Sequence, residues 1–223
     1  FVEEQREDKP NAIYMRDLVF MTPEGAIVAR PAIKARRGEE KAVALALSKL
    51  GVPIVRTING NGVFDCACAM WVDRHTVILG TGARANAEGA GQVEYELRRM
   101  GVTDILHVGI PYGHAHVDGL MNFVDKKKMV IFPWQVPYDV VKPLLNKGFE
   151  MIEITDIDEI KNNMAMNVVA LEPGKVLMVA GSANTKKKIE NAGIEVIEVD
   201  LSEIKKGWGA IHCMSVFLNR DPV

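Results

Sequence analysis

The sequence contains a few residues able to carry nucleophilic or proton-transfer chemistry, and they sit in short glycine-bounded segments. Cys213 lies in Gly207-Trp208-Gly209-Ala210-Ile211-His212-Cys213-Met214-Ser215, a glycine-rich entry into what reads as a short strand near the C-terminus. Glycines there let a substrate approach the backbone. His116 lies in Gly113-His114-Ala115-His116-Val117-Asp118-Gly119, a polar loop between two strand-like runs. An imidazole that meets a thiolate supplies the proton donor and acceptor that a sulfur nucleophile needs. Taken alone, Cys213 has a plain structural reading too, because free cysteine is among the most buried residue types.

Carboxylates follow the ends of strand-like runs in three places: Asp17 after Arg16, Asp65 after Phe64, and Asp118 two residues after His116. Each by itself reads as a solvated turn residue. Converging on one pocket, they would seat a planar cation, since the in-plane N–H donors of a guanidinium pair with carboxylates in fork geometry. His114 and His116 stand two apart, as metal ligands can, but Cys66-Ala67-Cys68 lacks the two-residue spacer of a zinc pair, so acid–base chemistry is preferred and no metal is expected. On a strand His212 would face away from Cys213 and reads as structural. His114 reads as a loop residue, Lys126-Lys127-Lys128 as a hairpin turn, Lys186-Lys187-Lys188 as a solvated helix face, and Met164, Met166 and Met178 as core filler.

The elements that must position these residues recur. Helical periodicity covers Gly38 to Leu50, Ala87 to Met100, Tyr138 to Lys147 and Asn184 to Ala192, with starts about 50 residues apart. Two strand-like runs precede a helix, as in Leu18 to Met21 with Ala26 to Ala29, and Ala69 to Val72 with Thr76 to Leu79. Another run follows each helix: Val52 to Val55, Ile105 to Val108, Met151 to Ile154 and Ile194 to Val199. Gly51, Gly101, Gly148 and Gly193 stand where helix C-caps fall, and Pro23-Glu24-Gly25 and Glu172-Pro173-Gly174 where paired strands turn. The unit is therefore strand, strand, helix, strand. A last half-unit, Ile211 to Leu218, is expected to be completed from elsewhere in one closed domain spanning 1–223.

Composition sets the outer bounds. With 223 residues, 48% hydrophobic and 25% charged, the chain has a globular profile, which excludes collagen-like and disordered classes. A net charge of -2, from 27 basic and 29 acidic residues, leaves little field to attract a polyanion, so no nucleic-acid partner is expected. No apolar run approaches the roughly 20 residues that cross a bilayer, so no membrane partner is expected either. The opening Phe1-Val2-Glu3-Glu4-Gln5-Arg6-Glu7-Asp8-Lys9 alternates charge without the apolar core of a secretory leader. It lacks an initiator Met, so the native chain can start earlier. Three cysteines, Cys66, Cys68 and Cys213, form a sparse, odd set that fits a reducing compartment, read as the cytoplasm.

These segments resemble the guanidino-group-modifying enzymes of the pentein superfamily: arginine deiminases, dimethylarginine dimethylaminohydrolases and amidinotransferases. Pro10-Asn11-Ala12-Ile13-Tyr14-Met15-Arg16-Asp17 is similar to the family's Pro-Asn-x-x-Phe-x-Arg-Asp element, whose last Asp holds the guanidinium; by that resemblance Asn11 and Asp17 bind substrate. Ala35-Arg36-Arg37-Gly38-Glu39 and Gly82-Ala83-Arg84-Ala85-Asn86-Ala87-Glu88-Gly89 are similar to stretches whose arginines bind the substrate carboxylate, which implies that role for Arg36 and Arg84. His116-Val117-Asp118 matches the His-x-Asp element, and Gly209 to Ser215 the nucleophile element. The fold implied is a five-bladed α/β propeller of ββαβ units.

What the resemblance implies is covalent chemistry at a guanidine carbon without metal or cofactor. Cys213 would attack, His116 would protonate the departing amine, Asp65 would orient His116, and Asp17 and Asp118 would hold the guanidinium. Where the hydrolases carry Glu-Gly-x-Asp this chain has Asp65-Cys66-Ala67-Cys68, and Phe64-Asp65-Cys66-Ala67 resembles the amidinotransferase branch instead. Cys66 and Cys68 read as packing residues rather than second nucleophiles or a redox pair, since one intervening residue strains a disulfide. Trp208, in place of a family glycine, is expected to narrow the pocket entrance. Hydrolysis is favoured because a short chain offers few long lid loops to keep water from an intermediate awaiting an acceptor amine. An amidinotransferase, and a non-catalytic pentein-fold binding protein, stand as alternatives. Arg36 and Arg84 argue against agmatine and for a guanidino acid; a homo-oligomer is left open.

Overall fold

The computed structural model describes residues 8–219; the alternating charges of 1–7 lie outside the described residues. Among the described residues, four ββαβ units are present. They comprise β1 (Val19–Thr22), β2 (Gly25–Val28), α1 (Glu39–Lys49) and β3 (Ile54–Thr57), then β4 (Ala69–Asp73), β5 (Thr76–Thr81), α2 (Ala87–Arg99) and β6 (Asp104–Gly109). The third is β7 (Met121–Asp125), β8 (Lys128–Ile131), α3 (Tyr138–Asn146) and β9 (Glu150–Glu153). A short helix, α4 (Ile157–Asn163), leads to β10 (Val169–Glu172), β11 (Lys175–Val179), α5 (Ala183–Asn191) and β12 (Glu195–Val199). All four helices and the strand-like runs named within the four repeats are thus found, with ends shifted by a residue or two; α4 is additional. Its two apolar positions, Ile157 and Ile160, are too few to give a helical period, and only the Asp156 cap, whose Oδ1 accepts from the Glu159 amide at 3.1 Å, marks its start.

Each unit builds its own three-stranded sheet, in the orders β1-β2-β3, β4-β5-β6, β7-β8-β9 and β10-β11-β12. The first two strands pair antiparallel through a tight turn, and the third, returning after the helix, pairs parallel with the second, as in Val77 opposite Ile105. Central strands are consequently buried on both faces: all of β2, and β5 from Thr76 to Gly80. Their near-continuous apolar runs are what a two-sided burial demands. The third strands carry their charges outward, as Glu195 and Glu198 do in β12. The helices end as the glycines require, with Gly51, Gly101, Gly148 and Gly193 at φ of 70°, 91°, 80° and 80°, the left-handed region that costs a Cβ-bearing residue.

The chain packs as two compact units, residues 8–117 with 214–219 and residues 118–213. The first holds two sheets, the second the other two. In the second, Val130, Val176, Met178, Ile152, Ile189 and Phe132 belong to one buried cluster that also includes Met166. Met164, read from the sequence as core filler, instead caps α4 in the left-handed region at φ 55° and is half-buried. The segment 211–218, expected to be a strand, begins as a single helical turn, α6 (Ile211–Met214), with no strand among the described residues after it. The glycine-rich approach Gly207-Trp208-Gly209 interrupts any strand ahead of it, and Asn167 supplies a side-chain acceptor to the His212 amide, which favours the turn.

Candidate active site

In the first unit, four segments bring their polar side chains to one buried cluster. Asp17 ends the 3-10 turn Met15–Asp17, and Arg36 ends the turn Lys34–Arg36. Asp65 precedes the turn Cys66–Cys68, stitched in place because its amide donates to the Arg84 carbonyl at 2.9 Å while Phe64 bridges Arg30 and Ala85. His116 follows β6. The chain there lies against Gly80 of β5, where an added Cβ would stand 2.8 Å from Val117 Cγ2 and 2.7 Å from Ile110 Cδ1; only a glycine lets this loop pack so closely.

His116 has a carboxylate at each ring nitrogen. Nε2 donates to Asp65 Oδ2 at 3.2 Å, and Nδ1 stands 3.6 Å from Asp17 Oδ1. The ionised carboxylate is acceptor-only, so the shorter contact places a proton on Nε2. Asp65 is fully buried and takes two further donors, the Ala32 amide at 3.1 Å and Arg84 Nη1 at 3.5 Å. Asp17 Oδ1 is buried and has no hydrogen-bond partner among the described residues. Burial pushes the Asp17 carboxyl above the ordinary range, an effect that His116 and Arg36 offset only in part.

Arg36 occupies a different place from the one its sequence context suggested. It is buried, with Nη1 on Asp17 Oδ2, Nε donating to Glu39 Oε2 at 2.9 Å, and Nη2 donating to the carbonyls of Asn11 at 3.1 Å and Tyr14 at 3.4 Å. Binding a substrate carboxylate would require these bonds to be exchanged. Burial works against the Arg36 charge, but Asp17 and Glu39 outweigh it and hold its pKa above the usual value; burial likewise raises Glu39. Asn11 enters this network through its backbone carbonyl. Arg84, about a quarter exposed, keeps a guanidinium beside Asp65. Asp17, Asp65 and His116 could offer three ligand atoms within 4.8 Å of one another, yet both carboxylates already carry a guanidinium, which opposes a second cation there.

Cys66 and Cys68 are buried and unbridged. The Cys66 thiol donates to the Ile27 carbonyl at 3.5 Å, and burial, with Asp65 and Asp17 nearby, pushes its pKa well up, which disfavours the thiolate. Cys66 is therefore held as a thiol at neutral pH.

The second unit holds Cys213, Asp118 and their partners. Cys213 is buried on α6, and Asn167 Nδ2 donates to its Sγ at 3.1 Å. Asp118, also buried, has its Oδ2 2.6 Å from His212 Nδ1. His212 is structural in that it holds Asp118, but because α6 is a helical turn the alternating-face argument did not find this pair. Asn167 was missed altogether; the available signal was a lone amide in the apolar run Met164-Ala165-Met166-Asn167-Val168-Val169. Trp208 is exposed and sits in the left-handed region at φ 62°, where the family's glycine would be unstrained.

The chain matches the family model described as arginine deiminase over residues 5–139 and 134–220, and it belongs to that family. It is 30% identical over 217 residues to N(G),N(G)-dimethylarginine dimethylaminohydrolase of Pseudomonas aeruginosa, covering 93% of this chain and 76% of that enzyme. It is 42% identical over 109 residues to 2-nitroimidazole nitrohydrolase of Mycobacterium sp. (strain JS330), but that match takes in 48% of this chain and only 28% of the relative. Among solved structures, a dimethylarginine dimethylaminohydrolase adduct with S-methyl-L-thiocitrulline superposes with a TM-score of 0.78 at 28% identity, covering 94% of this chain and 77% of that one. The α/β pentein fold of repeated ββαβ units is therefore the fold class of this chain. Among the described residues, no helix is long and apolar enough to cross a membrane.

Proposed function

We propose that this chain is a cysteine-dependent hydrolase of a small guanidino acid, its two compact units serving as one guanidino-modifying domain, since the family match runs through both. The observation that carries the reading is the His116 imidazole held between two buried carboxylates, Asp65 and Asp17, in a chain whose relatives include guanidine hydrolases. Cys213 Sγ attacks the guanidine carbon as thiolate; the tetrahedral adduct expels one nitrogen as an amine, which takes its proton from His116, and leaves an S-alkylthiouronium. Water then adds to that carbon, one of its protons returning to His116, the C–S bond breaks, and the thiolate is regenerated with a ureido product as the second proton leaves to the released amine. Asp65 orients His116 and balances its charge. Asp17 Oδ1, which has a lone pair to spare, accepts a substrate N–H, and Asp118 is the second carboxylate contact. Arg84 meets the carboxylate end of the substrate, with Arg36 and Asn11 behind Asp17 shaping its position. The sparse, odd set of three cysteines supports a reducing compartment, the cytoplasm.

A second reading is favoured by one observation, the 42% identity to a nitrohydrolase: displacement of a nitro group from an electron-poor ring carbon rather than an amine from a guanidine. One experiment separates these. The protein is incubated with L-arginine, its methylated forms and 2-nitroimidazole, with and without glycine, following ammonia, alkylamines, nitrite, ornithine and the mass of the Cys213 peptide. Ammonia or an alkylamine released without glycine supports the guanidine hydrolase. Ornithine appearing only with glycine would make it an amidinotransferase, nitrite alone would select the second reading, and no turnover or Cys213 adduct with any compound would leave a binding protein.

A further inference from the structure

Asn167 sits in the turn that follows α4, just ahead of β10, and its backbone is well anchored. Its amide donates to the Met164 carbonyl at 2.8 Å, and the next residue's carbonyl accepts from the buried Asn122 side chain at 2.9 Å. Its side chain makes two bonds to adjacent residues of α6. Oδ1 accepts from the His212 backbone amide at 2.7 Å, and Nδ2 faces Cys213 Sγ at 3.1 Å. The orientation of the carboxamide follows from this pairing rather than from choice. A backbone N–H can only donate, so the atom facing it must be the oxygen, which leaves the NH2 group aimed at sulfur.

Resting on the reading of Cys213 as the nucleophile, we infer that Asn167 is a positioning residue that sets both the place and the charge state of that sulfur. A donor aimed at sulfur favours the thiolate over the thiol, because a hydrogen bond to an ionised acceptor is stronger than one to its neutral form. The same side chain ties the α6 backbone through His212, so sulfur and donor are fixed against one another. Neither a core-packing role nor a solvated loop role accounts for an amide that bonds two neighbouring residues this way.

The test is the pH dependence of Cys213 alkylation by iodoacetamide in the full chain, read as the mass of the Cys213 peptide, for wild type, Asn167→Ala and Asn167→Asp. Loss of the donor in Asn167→Ala is expected to slow alkylation about tenfold at neutral pH and to move the midpoint up by about one pH unit, with the high-pH plateau unchanged. Asn167→Asp retains the shape and the acceptor for the His212 amide but turns a carboxylate toward sulfur. It is expected to move the midpoint further, and it serves if the alanine variant does not fold. An unmoved midpoint, or a rate lowered equally at every pH, would overturn the inference and leave Asn167 a structural residue. The two readings fail separately. Wild-type turnover with an unmoved midpoint removes the Asn167 role alone, whereas a moved midpoint without turnover of any guanidine removes the hydrolase reading and leaves the Asn167–Cys213 interaction standing.

Discussion

Asp65 and His116, 51 residues apart in sequence, meet through a 3.2 Å hydrogen bond from Nε2 to Oδ2, with the carboxylate fully buried. Asp65 is held in place by the Ala32 amide, which donates to its Oδ1, and by its own amide, which donates to the Arg84 carbonyl. Asp65→Asn removes the charge that fixes the Nε2–H tautomer while keeping the shape. The expected outcome is a fall in kcat of about a hundredfold to ten-thousandfold with a smaller change in KM, and an altered acid limb in the pH profile of kcat/KM. A melting temperature close to wild type would show that the loss is not unfolding; an unaltered kcat would remove Asp65 from the mechanism.

Burial shifts the Asp17 carboxyl in the opposite direction from a carboxylate stabilised by a surface ion pair. Burial raises its folded-state pKa above the unfolded value of about 3.9, so between those two values the native state holds more protons than the unfolded one. Its contribution to stability is therefore fully present below the unfolded pKa and declines as pH rises through the folded one. Urea unfolding of wild type and Asp17→Asn at a series of pH values should show the stability difference, wild type minus variant, decreasing upward from about pH 4 and levelling once native Asp17 is ionised. A difference that grew with pH instead would mean that Arg36 and His116 outweigh burial.

Much of this was legible from the amino-acid order, for identifiable reasons. The repeat could be read because each unit marks its own boundaries: apolar runs for the doubly buried β2 and β5, a glycine after α1, α2, α3 and α5, and Asn86 before α2, whose Oδ1 accepts from the Gly89 amide at 2.8 Å. The placement of Asp65 beside His116 followed from motif resemblance alone, since no local pattern links residues so far apart. What was not legible depends on three-dimensional partners. Arg36 has the sequence context of a ligand-binding arginine, but its guanidinium is satisfied internally by Asp17 and Glu39, and only the fold decides between the two. The α6 turn was read as a strand because four residues carry too little periodicity to tell one from the other. Asn167 and the His212–Asp118 pair became visible only once that turn was in place.

The three thiols should separate by reactivity. Burial, with Asp65 and Asp17 beside it, holds the Cys66 thiol protonated at neutral pH, whereas Cys213 has a donor aimed at its sulfur. Limited alkylation near pH 7.5 followed by peptide mapping should label Cys213 well before Cys66, and all three should react alike in denaturant. Cys66 labelling first would contradict both its burial and its packing role.

Glu159 makes the last prediction, one about stability with no catalytic component. Its carboxylate on α4 caps a different helix: Oε1 accepts from the Asn184 amide at 2.8 Å, and Oε2 from the Thr185 amide at 2.8 Å and the Thr185 hydroxyl at 2.7 Å. These are first-turn amides of α5, which have no carbonyl partner within the helix, and an anion there also meets the positive end of the helix dipole. Glu159→Ala leaves the amides without that acceptor and should cost about 2–3 kcal/mol in urea unfolding. Glu159→Gln should fare little better, because its NH2 group must turn toward one of the donors. Hydrogen exchange should quicken at the Asn184 and Thr185 amides while KM for the substrate stays unchanged. A Glu159→Gln protein as stable as wild type would show that the α5 amides find other acceptors and that the inter-helix cap contributes nothing.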